Sequence, residues 1–214
     1  MNMIDLQRAT AYIHSLETED EAILEEIRGE ALADEVPIIR SETASLIRLL
    51  VHTKQPKRIL EIGTAVGYSA LVMHRAAGVG CHITTIENYE KRIPVARANF
   101  KKAGADDILL LEGDATEHLK NLTGPYDFIF MDAAKAQYIV WLPEILRLLS
   151  DDGMLISDNV LQDGDVLESK YAVCRRDRTI HGRMREYLYA LTHDEGLYSS
   201  ILPVGDGVCL TVRR

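Results

Sequence analysis

Cysteine is scarce in this chain, and its spacing excludes several classes of protein. The three cysteines, Cys81, Cys174 and Cys209, are odd in number, widely separated and outside any C-x-x-C pattern. Disulfide-dependent secreted domains and structural zinc sites need more cysteines at closer spacing. We therefore predict buried thiols in a protein of a reducing compartment.

Long apolar runs are also missing. No apolar stretch approaches the roughly 18 residues that a membrane-spanning helix requires. Residues 1–7 lack the basic region followed by an apolar core that marks a secretion signal. The sequence therefore predicts a cytoplasmic location and no membrane partner.

Positive charge is in deficit, and much of it lies in one segment. The 214-residue chain has a net charge of −9, so as a whole it should not attract nucleic acid. Residues 1–45 have a balance of −8, whereas residues 170–185 have a balance of +5. The cations of that segment are Lys170, Arg175, Arg176, Arg178, Arg183 and Arg185. A basic run on a helix is usually a solvated face, but its segregation in an acidic chain favours a phosphate-binding surface for RNA.

The order of predicted elements indicates one α/β domain. Apolar residues make up 47% of the chain and charged residues 27%, which is typical of a globular enzyme. Residues 1–53 are predicted to form an N-terminal helical cap, with helices over 4–17, 19–34 and 42–52, the last capped by Ser41. Residues 54–214 are predicted to form a Rossmann-like core of alternating strands and helices. Strands are expected near 58–62, 82–86, 107–112, 126–131 and 153–157, and helices near 68–77, 90–103, 115–121 and 137–149.

The carboxyl-terminal part departs from this alternation. A helix predicted over 177–194 precedes two short strand patterns that flank Gly205-Asp206-Gly207. Two strands about such a turn form a β-hairpin, which cannot be a parallel crossover. We therefore predict a mostly parallel, seven-stranded sheet that ends in an antiparallel hairpin strand.

Three oxygen-bearing side chains follow two of the predicted strands. Asp132 comes directly after residues 126–131, and Asp158 and Asn159 come directly after residues 154–157. Ligands of open α/β sheets bind beyond the carboxyl ends of the strands. Two carboxylates and an amide oxygen, with no Cys or His beside them, suit a hard divalent cation such as Mg²⁺. The sequence therefore predicts a metal site at this edge of the sheet.

A glycine-bearing turn and two acids follow the first three predicted strands. Gly63 and Gly67 are four residues apart, which is not the G-x-G-x-x-G spacing of a dinucleotide site and argues against an NAD-dependent dehydrogenase. Glu87 ends the second strand, where an acid accepts ribose hydroxyls or merely caps a helix. Asp114 follows the third strand, where an adenine contact and a helix cap are both open. Together these residues predict a nucleotide-like cofactor beside the metal.

The order of these motifs resembles the cofactor site of the class I S-adenosylmethionine-dependent methyltransferases. Its parts are Glu61-Ile-Gly-Thr64, Glu87, Gly113-Asp-Ala115 and Asp132. Met131-Asp-Ala-Ala-Lys135 and Ser157-Asp-Asn-Val160 narrow the resemblance to the metal-dependent O-methyltransferases of the catechol and caffeoyl-CoA type. Val36-Pro-Ile38, Lys54-Gln-Pro-Lys57 and Leu202-Pro-Val-Gly-Asp-Gly207 look most like the bacterial branch that methylates 5-hydroxyuridine in tRNA.

The resemblance implies a role for each motif residue. S-adenosylmethionine would contact Ile39, Glu61, Gly63, Ser69, Glu87, Asp114, Ala115 and Asp132. Magnesium, or another divalent cation, would be held by Asp132, Asp158 and Asn159. Lys135 would be the catalytic general base, with an exposed surface lysine as the alternative. The family also implies a homodimer. Together with the positive charge of residues 170–185, it implies conversion of 5-hydroxyuridine to 5-methoxyuridine in a tRNA anticodon loop.

Two further functions stay open at this stage. A small-molecule O-methyltransferase would use the same metal site, because a catechol and 5-hydroxyuridine both offer two adjacent oxygens. A non-catalytic nucleotide- or RNA-binding module would have no use for the metal residues. The positive charge of residues 170–185 favours RNA, and Tyr171, Tyr187 and Tyr189 are candidates to stack an unpaired base. Trp141 is predicted to lie in the core.

Overall fold

A computed structural model describes residues 6–17 and 20–214 of the chain. Three helices precede the first strand: α1 (Leu6–His14), α2 (Ala22–Ala33) and α3 (Ser41–Lys54). Residues 4, 5 and 19 of the predicted helices lie outside the described residues. The predicted cap of α3 is wrong, because Ser41 is the first helical residue and its hydroxyl instead lies 2.9 Å from His14 Nε2.

The core is a seven-stranded mixed sheet with helices on both faces. The strands are β1 (Arg58–Ile62), β2 (His82–Glu87), β3 (Leu109–Glu112), β4 (Tyr126–Met131), β5 (Leu149–Ser157), β6 (Leu197–Leu202) and β7 (Val208–Arg213). The helices are α4 (Tyr68–Ala77), α5 (Ile93–Lys102), α6 (Ala115–Asn121), α7 (Tyr138–Leu148) and α8 (Arg178–His193). Short 3₁₀ turns occupy Lys135–Gln137 and Gln162–Leu167. The predicted alternation of strands and helices is confirmed.

The strand order is β3-β2-β1-β4-β5-β7-β6. The first five strands of this order pair in parallel, whereas β7 is antiparallel to both β5 and β6. The predicted fold, a mostly parallel sheet completed by an antiparallel hairpin, is therefore confirmed. Because the chain runs outward in one direction from β1 and in the other from β4, a crevice opens between the carboxyl ends of these two strands.

Alternating side chains of the strands build two separate cores. Ile59 and Phe128 are partners in the sheet and face the layer of α3, α4 and α5, which the cap helix α2 extends. Leu60 and Ile129 are the next pair and face the layer of α6, α7 and α8. Runs such as Ile59-Leu60 are apolar on both faces because helices cover both sides of a parallel sheet.

Two predictions about single residue types have different outcomes. Trp141 is 6% exposed, so its assignment to the core is confirmed. Cys81 and Cys209 are buried, but Cys174 is exposed, so the prediction of a third buried thiol is wrong.

No helix within residues 6–17 and 20–214 is long and apolar enough to cross a bilayer.

Gly63 allows the end of β1 to lie directly against the residue that follows β4. Its φ of +102° belongs to the region that favours glycine, and a Cβ added there would lie 1.9 Å from the backbone oxygen of Asp132. The Asp132 amide, in turn, donates to the Ile62 carbonyl at 2.9 Å. The position of Asp132 therefore depends on the absence of a side chain at residue 63.

We expect Gly63→Ala to destabilise the protein more than Gly80→Ala. Gly80 has a similar φ of +94° but no atom within 4 Å of an added Cβ, so both variants carry backbone strain and only Gly63→Ala carries the clash. The clash should cost about 1–3 kcal/mol more, as overpacking does elsewhere. Urea unfolding of both variants measures the difference. Equal losses would contradict the close approach of β1 and Asp132.

Candidate functional site

A cleft of about 460 Å³ opens at the carboxyl ends of β1, β2, β3 and β4. Its volume lies within the range of small-molecule sites. The predicted site residues that line it are Ile39, Gly63, Ser69, Glu87, Asp114, Ala115, Asp132, Lys135 and Asn159. Two other predicted residues, Glu61 and Asp158, lie behind its surface and are 0% and 2% exposed. The structure therefore brings the motif residues together in one cleft with two buried carboxyl groups beneath it.

Several lining residues were not singled out from the sequence. They include Thr64, Ala65, Tyr68, Asn88, Arg92 and Thr116. Most are immediate neighbours of a motif residue, and that adjacency is the signal that would have identified them. Trp141 also lines the cleft, and its indole N–H donates to Thr116 Oγ1 at 3.0 Å. It is thus both a core residue and part of the wall.

Glu61 supports the wall of the cleft from behind. The hydroxyl of Ser69 donates to Glu61 Oε1 at 2.5 Å, and the hydroxyl of Thr85 donates to Oε2. Burial raises the pKa of Glu61 to about 7, and the charges of Asp132 and Glu87 add to this effect. Glu61 therefore orients Ser69, which faces the cleft, and it is protonated over a wider pH range than an exposed glutamate.

Glu87 organises the turn that carries the glycines. Its Oε2 accepts a hydrogen bond from the Ala65 amide at 2.7 Å, and its Oε1 accepts from Asn88 at 3.0 Å and Tyr89 at 2.8 Å. Ala65 has a φ of +46°, which is uncommon for a residue with a side chain. A carboxylate has about four acceptor positions, so this one retains capacity for a ligand in the cleft.

Asp114 is the N-cap of α6. Its side chain accepts a hydrogen bond from the Thr116 amide at 2.6 Å. Hydrogen bonding to Thr116 holds the pKa of Asp114 below its usual value. The helix cap is thus observed, while the adenine contact stays a prediction for a carboxylate that also lines the cleft.

Asp132, Lys135, Asp158 and Asn159 meet where β4 and β5 end. Lys135 Nζ lies 2.6 Å from Asp132 Oδ1, and the backbone N–H of Asn159 donates to Asp158 Oδ1 at 2.8 Å. Burial raises the pKa of Asp158 to about 7, and the charge of Asp132 raises it further while Lys135 opposes this. The pair of carboxyl groups therefore favours a nearby positive charge, and in this structure the Lys135 ammonium provides part of it.

The oxygen donors of this group fit a hard cation. Two carboxylates and an amide oxygen are ligands that magnesium accepts, usually together with several waters. No cluster of three or more His, Cys, Asp or Glu side chains suited to a metal occurs in the part of the chain that the structure describes. The chemistry of the donors, with Asn159 as the third, is therefore what supports a metal here.

Tyr138 joins the separate pieces of this group. Its hydroxyl is buried and donates to the Met131 carbonyl at 2.8 Å, with the Asp158 carbonyl at 3.3 Å. The same oxygen accepts from Lys135 Nζ at 3.0 Å and from the Ala133 amide at 3.3 Å. Tyr138 is not among the site residues predicted from the sequence.

The six predicted RNA-binding cations differ in what they contact. Lys170, Arg175 and Arg176 are exposed on the segment before α8. Arg178, Arg183 and Arg185 each donate to a backbone carbonyl of a neighbouring segment. Tyr187 is fully buried and its hydroxyl is hydrogen-bonded to that of Ser157, so the prediction that it stacks a base is wrong.

We expect the stability of the ligand-free protein to depend on pH through Glu61. Because its folded-state pKa lies above the unfolded value, its stabilising contribution is present below about pH 4.5 and is lost as the pH rises through about 7. Glu61→Gln imitates the protonated acid and should remove this loss, which approaches about 1.4 kcal/mol per pH unit. Thermal unfolding of both proteins between pH 5 and 8 tests this. Parallel curves would contradict a buried, protonated Glu61.

Known proteins of similar sequence and structure bear on this site. The chain is 31% identical to a catechol O-methyltransferase of Mycobacterium tuberculosis over 73% of each chain. It is 34% identical to a catechol O-methyltransferase of Niastella koreensis, over 70% of this chain and 71% of that protein. The SAH-bound crystal structure of the methyltransferase PaMTH1 from Podospora anserina superposes with a TM-score of 0.88, at 29% identity, over 98% of this chain and 95% of the other.

The match to a family covers nearly the whole chain. The model of the O-methyltransferase family matches residues 14–214, which include the cleft, the carboxyl group pair and the C-terminal hairpin. The fold is that of the class I methyltransferases, as the superposed structure also has. This protein belongs to the O-methyltransferase family.

Proposed function

We propose that the protein is an S-adenosylmethionine- and magnesium-dependent O-methyltransferase that converts 5-hydroxyuridine to 5-methoxyuridine in tRNA anticodon loops. One observation carries the methyltransferase part: Asp132, Lys135 and Asn159 line a single cleft with the turn that carries Gly63. The cofactor would lie along that turn, because Gly63 and Ser69 both line the cleft there. The SAH seen in the superposed relative supports this assignment.

The proposed chemistry assigns separate tasks to the residues of the chain. When bound, S-adenosylmethionine supplies the methyl group, and magnesium stabilises the oxyanion of the substrate hydroxyl. Asp132, Asp158 and Asn159 would hold the metal. Lys135 would take the hydroxyl proton after it has lost its own, and Tyr138 and Asp132 hold its Nζ in place at 3.0 and 2.6 Å. The ends of β1, β4 and β5 would hold the substrate oxygen in line with the methyl group that the cofactor supplies.

The choice of RNA as substrate rests on charge. The balance of +5 over residues 170–185 stands in a chain of net charge −9. Phosphate contacts dominate RNA affinity, and an anticodon loop offers an unstacked base without the cost of opening a duplex. The second candidate is a small catechol or phenol, which the names of the two curated relatives favour. Both acceptors offer two adjacent oxygens, so the metal site serves either.

We expect the purified protein to form 5-methoxyuridine from tRNA that carries 5-hydroxyuridine, with methyl donor and magnesium present. Mass spectrometry of the digested nucleosides detects the product, and a parallel reaction contains free catechol. The rate on tRNA should fall steeply between 50 and 200 mM salt, roughly as phosphate contacts do in other proteins, while the rate on catechol should not. Turnover of catechol with no change in the tRNA would establish the second candidate instead.

We expect Asp158→Asn to separate metal binding from cofactor binding. Without metal the variant should be more stable than the unaltered protein at pH 8, because a buried charge beside Asp132 is removed. Magnesium at 100 times its Kd should stabilise the unaltered protein by about 2.7 kcal/mol and so raise its melting temperature. It should leave the melting temperature of the variant unchanged. Methyl transfer should fall to background while S-adenosylhomocysteine affinity is retained.

Calorimetry with magnesium and differential scanning fluorimetry measure these effects. An equal magnesium-induced stabilisation of both proteins would show that Asp158 does not hold the ion. Full activity of the unaltered protein after exhaustive chelation would remove the metal from the proposal altogether.

A further inference from the structure

The cations of residues 170–185 divide into two groups by what they touch. Arg183 donates to the Ala136 carbonyl at 3.1 Å, and Arg185 donates to the Val166 carbonyl at 3.0 Å. Arg178 donates to the Val173 carbonyl at 3.3 Å. Each of these guanidinium groups of α8 is thus hydrogen-bonded to the backbone of a neighbouring segment.

The second group lies on residues 168–176, which we call the basic segment. Lys170, Arg175 and Arg176 are exposed there. Arg176 is 86% exposed along its side chain, and it forms an ion pair with the adjacent Asp177 at 3.3 Å. Among the described residues, no carboxylate lies within salt-bridge distance of Lys170 or Arg175. Their charges are thus available to a partner.

An aromatic ring lies within the basic segment. Tyr171 is 85% exposed, although a tyrosine ring is largely apolar. The other aromatic candidates are occupied, because Tyr187 is buried and Tyr189 stacks on His193 with ring centroids 3.8 Å apart. Tyr171 is therefore the ring of this region that can receive a further flat group.

The basic segment is linked through α8 to the turn that carries Lys135. His181 Nε2 lies 3.1 Å from the Glu168 carbonyl, which fixes the start of the segment to the first turn of α8. Two residues farther along the helix, Arg183 reaches the carbonyl of Ala136, the neighbour of Lys135. α8 thus contacts both the start of the basic segment, through His181, and the turn that carries the proposed general base, through Arg183.

We infer that the basic segment is the surface that binds single-stranded RNA next to the target nucleotide. Arg175 and Arg176 would bind phosphates, with Lys170 assisting, and Tyr171 would stack on a base that flanks the modified uridine. The arginines of α8 fix this surface in place without contacting RNA. This inference rests on the proposed RNA substrate. It reduces the predicted RNA-binding cations from six to three.

The test compares charge reversal at two edges of the sheet. The test variant carries Arg175→Glu and Arg176→Glu, and the matched control carries Lys57→Glu and Lys101→Glu. Lys57 precedes β1 and Lys101 lies in the last turn of α5, so both are exposed at the edge opposite the cleft while the change in net charge is the same. The probe is a labelled anticodon stem–loop RNA that contains 5-hydroxyuridine, and its affinity is measured by fluorescence anisotropy over a range of salt concentrations.

We expect the test variant to bind the RNA at least about tenfold more weakly than the control at 0.1 M salt. The slope of log affinity against log salt should fall by about 1.4, because each lost single-strand phosphate contact removes about 0.7. Tyr171→Ala should weaken binding roughly 5- to 150-fold and leave the slope unchanged, since stacking releases no counterions. Arg183→Gln should also leave the slope unchanged. Melting temperature and S-adenosylhomocysteine affinity verify that each variant is folded.

The outcomes separate this inference from the proposed function. If the unaltered protein methylates the RNA and the test variant binds it as well as the control does, the basic segment is not the binding surface, while the RNA substrate stands. If the unaltered protein neither binds nor methylates the RNA and turns over catechol, the RNA substrate fails and the inference fails with it.

Discussion

The hydroxyl of Tyr138 is the point on which the site depends. β4 and β5 are adjacent strands, and Asp132 and Asp158 lie just beyond their last paired residues, where their amides still donate to the carbonyls of Ile62 and Met131 at 2.9 Å. The buried Tyr138 oxygen reaches the carbonyls of Met131 and Asp158 and also the ammonium of Lys135. A single side chain from α7 thus connects two strand ends with the amine of Lys135, and it adds to the hydrogen bonds that the Asp158 amide makes to Met131 and that Lys135 makes to Asp132.

Charge in the cleft is balanced only in part by the chain itself. Burial disfavours the ionised forms of both Glu61 and Asp158, and Asp132 adds repulsion to each. Lys135 is the nearby cation in this structure and pairs with Asp132. A sulfonium and a divalent ion would offset the remaining negative charge, so binding of both ligands is favoured by the same excess of acid that destabilises the ligand-free site.

The sequence alone allowed the sheet, the hairpin and most of the cleft to be predicted, because strand ends in a parallel sheet converge and the motifs occur at those ends. Two kinds of information were beyond it. The first was how deeply each side chain is buried, because the spacing of residues does not show that Glu61 lies behind Ser69 or that Cys174 is exposed. Side-chain direction was the other, since the arginines of α8 read as one basic face until their carbonyl partners are seen. Periodicity reports which face a residue occupies, not what its long side chain reaches.

The place of β7 within the sheet has a consequence for biosynthesis. This strand follows β6 in the chain but lies between β5 and β6, where Cys209 pairs with Ser157, the neighbour of Asp158. The backbone amides of Val160 and Leu161 also need the carbonyls of Gly207 and Asp206. A chain still emerging from the ribosome therefore lacks the support of its own carboxylate cluster until residues 206–213 have been translated. The enzyme becomes competent only after nearly all of its described sequence has been made, so truncated products are expected to be inert.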